Sequence, residues 1–234
     1  MKFFHHDTIW AAHGPLAAGA LWVTGITPDA DMGETIAVHH AVARERLARG
    51  AEGEFAEIQA WRRVFSAMGL RPTQYRCAAE SLLRRFRKEG ALPPLHPLVD
   101  VCNAVSLSCA TPVAVFDLAR ISGDLVVRPA QGNEIYECFG GEQEQPEPGE
   151  VIFADDSGQA HARRWCHRQS ACSAVRDNTV NALIVAEAMH GSAAADIGHL
   201  MGTLASAFTH AGWSVQGYRQ LTRQAPCFEP ESPD

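Results

Sequence analysis

The stretch Arg163-Arg164-Trp165-Cys166-His167-Arg168-Gln169-Ser170 places several reactive and hydrogen-bonding groups within eight residues. Arg164, Gln169 and Ser170 can donate hydrogen bonds to negative charge developing on an oxygen, as hydrolysis at an activated carbonyl requires. His167, the one histidine in this cluster, can serve as general base if its pKa lies near neutrality. The plainer alternative is a surface histidine. Trp165 offers a flat wall for a ligand, or belongs to the core. Asn103 can orient an amine or a carbonyl, or cap backbone groups. Arg164 rather than Arg163 is expected to face a cavity, although strand alternation alone does not decide between neighbours.

Other groupings carry less chemistry. Asp100 and Asp117 resemble a carboxylate pair, but capping or a polar network is expected of them. His5-His6 and His39-His40 are adjacent pairs whose side chains diverge, with no Cys or carboxylate at ligand spacing, so no metal site is assigned. Gly140-Gly141 lacks the glycine spacing and lysine of a phosphate loop. His96, between prolines, reads as structural. The seven cysteines are odd in number and form no Cys-x-x-Cys pair, which argues against a disulfide framework and a structural zinc. No cofactor is expected.

Elements must hold these groups, and the chain has material for them. Its 234 residues are 46% hydrophobic and 20% charged, ordinary for a globular protein. No apolar run reaches the roughly 20 residues of a membrane span, and the N-terminus does not read as a secretory signal. No membrane partner and a cytoplasmic location are therefore expected. The net charge is −7, but it is unevenly spread. Arg62, Arg63, Arg71, Arg76, Arg84, Arg85, Arg87 and Lys88 face the single acid Glu80 within their segment, whereas Glu134 to Asp156 holds eight acids and no Lys or Arg. One face could attract phosphate while another repels it, unless both are merely solvated surfaces.

Leu21 to Ile26 reads as a strand. Glu34 to Met68 is helical, with a break near Arg49-Gly50. A helix follows Pro72-Thr73, with Thr73 as cap and Tyr75, Ala78, Ala79, Leu82, Leu83 and Phe86 as its apolar stripe; Gly90 ends it. Another helix spans Leu98 to Leu107. Short strands are expected at Val113–Phe116, Leu125–Arg128, Val151–Phe153 and His161–Arg164, with 140–149 a loop. Asp177 to about Met189 reads as a helix, Ile197 to Phe208 as a last amphipathic helix, and Trp213 to Leu221 as a closing strand. This irregular order indicates an α+β fold.

From Arg71 to Met189 the chain resembles the B3/B4 domain of the phenylalanyl-tRNA synthetase β subunit. Leu98-Val99-Asp100-Val101-Cys102-Asn103-Ala104-Val105 is similar to its "VD-x-x-N-x-V" helix. Thr111 to Asp117 resembles its proline-to-"FD" strand, Ile121 to Arg128 its "I-x-G-x-(I/L)-V-x-R" hairpin, and Gly149 to Asp155 its strand ending in Ala-Asp. Ser173 to Leu183 matches the segment entering the last helix. The Arg163–Ser170 stretch looks closer to stand-alone B3/B4 proteins. Length leaves no room for a complete ligase.

The resemblance implies a B3/B4-like mixed sheet with packed helices, a single domain with an N-terminal helical extension. Residues 1–70 would be a strand and helices packed on the core, 71–225 the B3/B4-like domain, and 226–234 a loose tail. It also implies charged tRNA as partner and an editing hydrolase that deacylates mischarged tRNA. The catalytic candidates are Arg164, Gln169, Ser170 and His167. Asn103, Trp165, Val113 and Ala114 would bind the aminoacyl group, and Arg76, Arg84, Arg85, Arg87 and Lys88 the RNA. Two departures stand out: Ala114 occupies the position of a family histidine, and Ala171 is the nearest match to a family glutamate. A non-catalytic tRNA- or amino-acid-binding module, or a hydrolase of a small amino-acid conjugate, are the alternatives. Which amino acid, which tRNA and which oligomeric state are left open.

Overall fold

The structure, a computed structural model, describes residues 1–229. In chain order the elements are β1 (Phe3–His5), α1 (Asp7–Ala12), β2 (Ala17–Thr24), α2 (Gly33–Arg49), α3 (Ala56–Ala67), α4 (Ala78–Glu89), α5 (Pro97–Cys109), β3 (Val113–Asp117), β4 (Leu125–Pro129), β5 (Ile135–Glu137), β6 (Gln143–Glu144), β7 (Val151–Asp155), β8 (Gln159–Arg163), β9 (Arg168–Gln169), β10 (Asn181–Ala188), α6 (Ala193–His210), β11 (Ser214–Leu221) and β12 (Cys227–Phe228). The fold is α+β.

Two sheets organise it. One runs β12-β1-β4-β7-β8-β5-β6, with β9 paired to β8; the other runs β11-β2-β10-β3. Strand β2, from the first 70 residues, lies inside the second sheet, antiparallel to both β10 and β11. The N-terminal segment thus builds the sheet as well as covering it.

Strand β10 shows why this sheet forms. Leu183 and Val185 join a core with Phe3, Trp61, Phe116, Phe153 and Trp165. Ala182, Ile184 and Ala186 point the other way, into a core with α5 and α6 through Val101, Val105, Ile197, Leu200 and Leu204. A strand buried on both faces reads as a continuous apolar run. This is why Asn181 to Ala188 is a strand and not the helix expected from Asp177 to Met189. A helix of this composition would lack a polar face. On the far side β2 packs so closely on α6 that a Cβ at Gly19 would sit 2.7 Å from the Met201 side chain.

Helix boundaries follow local chemistry. Helix α4 ends at Gly90, whose left-handed φ of 77° suits glycine. It starts at Ala78 and not after Thr73, because residues 71–75 close turns in which Gln74 and Tyr75 N–H donate to the Arg71 carbonyl. His96 caps α5, its Nδ1 accepting from Leu98 N–H at 3.2 Å. The segment expected to be a plain loop at 140–149 contains β6, which pairs with β5. The tail expected to be loose from 226 is held in its first part. Cys227–Phe228 pairs with β1 and Phe228 is buried; residues 230–234 lie outside the described ones.

Candidate functional site

The turn after β8 is backbone under strain. Arg164 and Trp165 both adopt positive φ, 46° and 62°, a conformation that costs roughly 1–3 kcal/mol per non-glycine residue unless the surroundings enforce it. Here they do. Trp165 N–H donates to the Val151 carbonyl at 2.6 Å, and the fully buried indole lies edge-on to Trp61 at 5.3 Å. Its Nε1–H donates to Glu187 Oε1 at 2.9 Å. The twist drives Trp165 inward and brings His167, Arg168 and Gln169 back to the strand edge.

Under this turn lies a partly open cavity of about 50 Å³, walled by Pro112, Val113, Ala114, Phe153, Ala162, Trp165, Cys166, His167, Arg168, Gln169, Val185 and Glu187, with Ala78 at the start of α4. Of the residues proposed from sequence, Val113, Ala114, Trp165, His167 and Gln169 come together here. Three do not. Asn103 faces a separate hollow formed with Ile36, His40, Leu92, Pro93, Pro94 and Asp100. Ser170 is buried, donating to the Glu137 carbonyl and accepting from Cys172 N–H. Arg164 lays its guanidinium 4.6 Å from the centre of the Tyr75 ring, away from the cavity. Arg163 is not the cavity residue either: it is buried and paired with Glu144 and with Glu150, the latter at 2.8 Å. Strand alternation could not place these arginines, since β8 ends at Arg163 and the chain then turns left-handed.

The residue that sequence reasoning missed is Glu187. It is 3% exposed, on the same face of β10 as Val185. His5 Nε2–H donates to its Oε1 at 2.6 Å, beside the Trp165 donor. Its Oε2 accepts no hydrogen bond from the described residues. The available signal was one acid in the apolar run Leu183-Ile184-Val185-Ala186-Glu187-Ala188, masked once that run was read as helix.

His167 is held by its other nitrogen. Nδ1 lies 2.7 Å from the Arg76 carbonyl, which can only accept, so Nδ1 carries the proton. The Arg76 N–H also points at this atom, from a longer 3.3 Å. The basic nitrogen is then Nε2. Burial lowers the His167 pKa; the Arg76 carbonyl raises it, and the charges of Arg164, Arg168 and Arg76 lower it further, leaving it below the ordinary histidine value. Gln169 is likewise anchored, one amide hydrogen going to the Val115 carbonyl.

The basic surface is less free than the sequence suggests. Arg84 and Arg87 converge on Glu52, at 3.4 and 2.8 Å. Arg62 and Arg76 converge on Glu80, at 2.6 and 3.4 Å, and Arg85 pairs with Glu89. Lys88 has no such partner among the described residues. Nor is the acidic run a simple repelling face. Glu134 is buried; burial raises its pKa, but the backbone donors of Gln131 and Gly132 and the Arg128 guanidinium outweigh that and bring it to about 2. Asp155 is buried too, 3.2 Å from His161 Nε2, and its donors hold it well below the carboxylate range against the effect of burial.

Asp117 proves to be part of a polar network, accepting from Ala119 N–H and the Thr179 hydroxyl, while Asp100 accepts from Leu95 N–H. His6 caps α1. His39 shares a 2.8 Å hydrogen bond with Ser108. The described residues hold no helix long and apolar enough to cross a membrane.

Comparison with known proteins gives a coherent result. The family model described as the B3/4 domain matches residues 60–211, beginning inside α3. The phenylalanine–tRNA ligase β subunit of Nocardia farcinica is 39% identical over 77 residues, 33% of this chain and 9% of that protein. That of Cereibacter sphaeroides is 30% identical over 94 residues, 40% of this chain and 12% of that protein. The chain thus spans about a tenth of the length of these relatives. The crystal structure of an N-terminal fragment of the Pyrococcus horikoshii phenylalanyl-tRNA synthetase β subunit aligns over 91% of this chain and 49% of that one, with a TM-score of 0.50 and 8% identity. That likeness concerns the fold.

Proposed function

The chain belongs to the B3/4 domain family, and on that footing we propose that it removes wrongly attached amino acids from tRNA as an editing hydrolase acting in trans. The observation that carries this reading is the cavity, a small apolar chamber with a buried carboxylate, Glu187, in its wall, one oxygen of which accepts no hydrogen bond from the described residues. The aminoacyl side chain enters between Val113, Ala114, Phe153 and Trp165, and Glu187 accepts a hydrogen bond from a donor on the aminoacyl group.

The ester is already activated, so the protein's task is to position a water and stabilise charge. Neutral His167 takes a proton from water at Nε2 as the water oxygen bonds to the carbonyl carbon. Arg168 and Gln169 donate to the oxyanion. The carbon–oxygen bond to the ribose then breaks, and the proton leaves with the ribose hydroxyl. Arg164 and Ser170 act by holding the turn. Phosphates upstream are drawn to the α4 surface. Ala78 is at the cavity, and Lys88 stands about 15 Å along the helix at 1.5 Å per residue.

Size selects the substrate. A site needs about 10–15 Å³ to hold one water on this measure, so a 50 Å³ cavity takes only a few atoms. A small side chain fits and an aromatic one does not. The test is release of amino acid from a panel of correctly and incorrectly charged tRNAs, with wild type beside Gln169→Ala and His167→Gln. Selective release of small residues, lost in both variants, is the expected result. Because the His167 pKa is lowered, its neutral form persists below the ordinary histidine value. Release should stay level as pH falls through 6.5 and decline only lower. No release from any charged tRNA, in a folded preparation that still binds tRNA, would replace this reading with the non-catalytic module, which the alanine at position 114 favours.

A further inference from the structure

Beside this cavity lies a more open shelf of about 550 Å³, lined by Tyr136, Cys138, Phe139, Gly140, Glu142 and Glu144, and by Arg168 and Gln169. The last two residues also line the cavity, so the two spaces adjoin at Arg168 and Gln169. We propose that this shelf is a subsite for an adenine nucleoside, its base stacked on Phe139.

Three observations carry the proposal. Phe139 is 74% exposed at the tip of the β5–β6 turn. A large ring held in water on an ordered turn suits a flat ligand, since every base offers a π-face to an aromatic side chain. The backbone beneath it is fixed, with Gly141 N–H donating to the Cys138 carbonyl at 2.9 Å and Cys138 N–H to the Glu142 carbonyl at 2.8 Å. Second, the carboxylates at the shelf outnumber the guanidiniums: Glu144 is shared by Arg168, 3.6 Å away, and Arg163, Arg163 is also held by Glu150, and Glu142 has no ion-pair partner among the described residues. Such a lining disfavours a phosphate and favours a neutral ligand with an amine donor, as the exocyclic amine of adenine provides. Third, the size lies within the usual range for small-molecule sites.

The proposal rests on the hydrolase reading for its choice of base. A charged tRNA carries its amino acid on a terminal adenosine. With the side chain in the cavity, the ester falls at Arg168 and Gln169, and the adenine must lie just outside them, where the shelf is. Trp165, whose indole is fully buried, offers no exposed face on which that base could stack.

The test is titration of adenosine, uridine and inorganic phosphate into the full chain and into Phe139→Ala and Phe139→Trp, each checked for unchanged thermal unfolding. Amino-acid release from charged tRNA is measured on the same preparations. Adenosine should bind wild type more tightly than uridine does, and phosphate should not compete with it. Phe139→Ala should weaken adenosine about tenfold, in keeping with loss of one base–aromatic stack, and Phe139→Trp should restore it. Failure of wild type to bind adenosine, or equal affinity in Phe139→Ala, overturns the subsite. If release proceeds in either of those cases, the hydrolase reading stands without it. If adenosine binding depends on Phe139 but no charged tRNA is hydrolysed, the subsite stands and the hydrolase reading falls.

Discussion

The cavity and the α4 surface both concentrate polar side chains, and they manage them in opposite ways. At the cavity a buried acid, Glu187, holds two buried donors, His5 and Trp165, on one oxygen, and its other oxygen has no donor among the described residues. Around α4 two buried acids, Glu80 on the helix and Glu52 on the turn before α3, each hold two arginines that are partly in water. The first arrangement fixes a geometry. The second fixes an orientation of charge while cancelling part of it. Two arginines against one carboxylate leave a net positive surface, weaker than a count along the helix implies.

This contrast can be broken at either end. Glu187→Ala should have the largest effect. It strands two buried donors, which costs about 3 kcal/mol of stability, read by denaturant unfolding. Glu187→Gln, which retains an acceptor, should recover most of it. If Glu187→Ala unfolds like wild type, the carboxylate is not what holds the turn at Trp165. Next, Arg84→Glu with Arg85→Glu should weaken tRNA binding about tenfold at low salt. The slope of log affinity against log salt should fall by about 1.8, at 0.9 per lost phosphate contact. An unchanged slope would remove α4 from the RNA-binding surface. The smallest change is the sharpest test. Glu52→Gln frees Arg84 and Arg87 from their shared carboxylate, so tRNA affinity should rise a few-fold and its salt dependence steepen. A fall in affinity would mean that Glu52 positions these arginines.

The same contrast explains what could be read from the sequence. The α4 stripe was legible because 3.6-residue periodicity is local; the pairing of Arg84 with Glu52, 32 residues away, was not. At the cavity, Val113, Ala114, Trp165, His167 and Gln169 could be picked out because they cluster in two short segments. Glu187 escaped because an apolar run buried on both faces has neither helical nor strand alternation, so its type must be decided by its neighbours β2 and β3. Arg164 and Ser170 were chosen for their chemistry, but two positive φ values rotate one outward and a backbone hydrogen bond holds the other. Asn103 sits on the wrong side of α5 from the cavity, which the spacing of motifs in sequence does not encode.

The central claim is that the cavity receives the aminoacyl group. Single-turnover release from a tRNA charged with a small amino acid, comparing wild type with Ala114→Trp, tests it most directly. The indole would fill the chamber and leave the basic side chains of α4 unchanged. The account predicts release slowed about a hundredfold, as loss of reactive geometry can cause, with tRNA affinity unchanged. Release at the wild-type rate from a folded Ala114→Trp variant would place the chemistry elsewhere on the molecule.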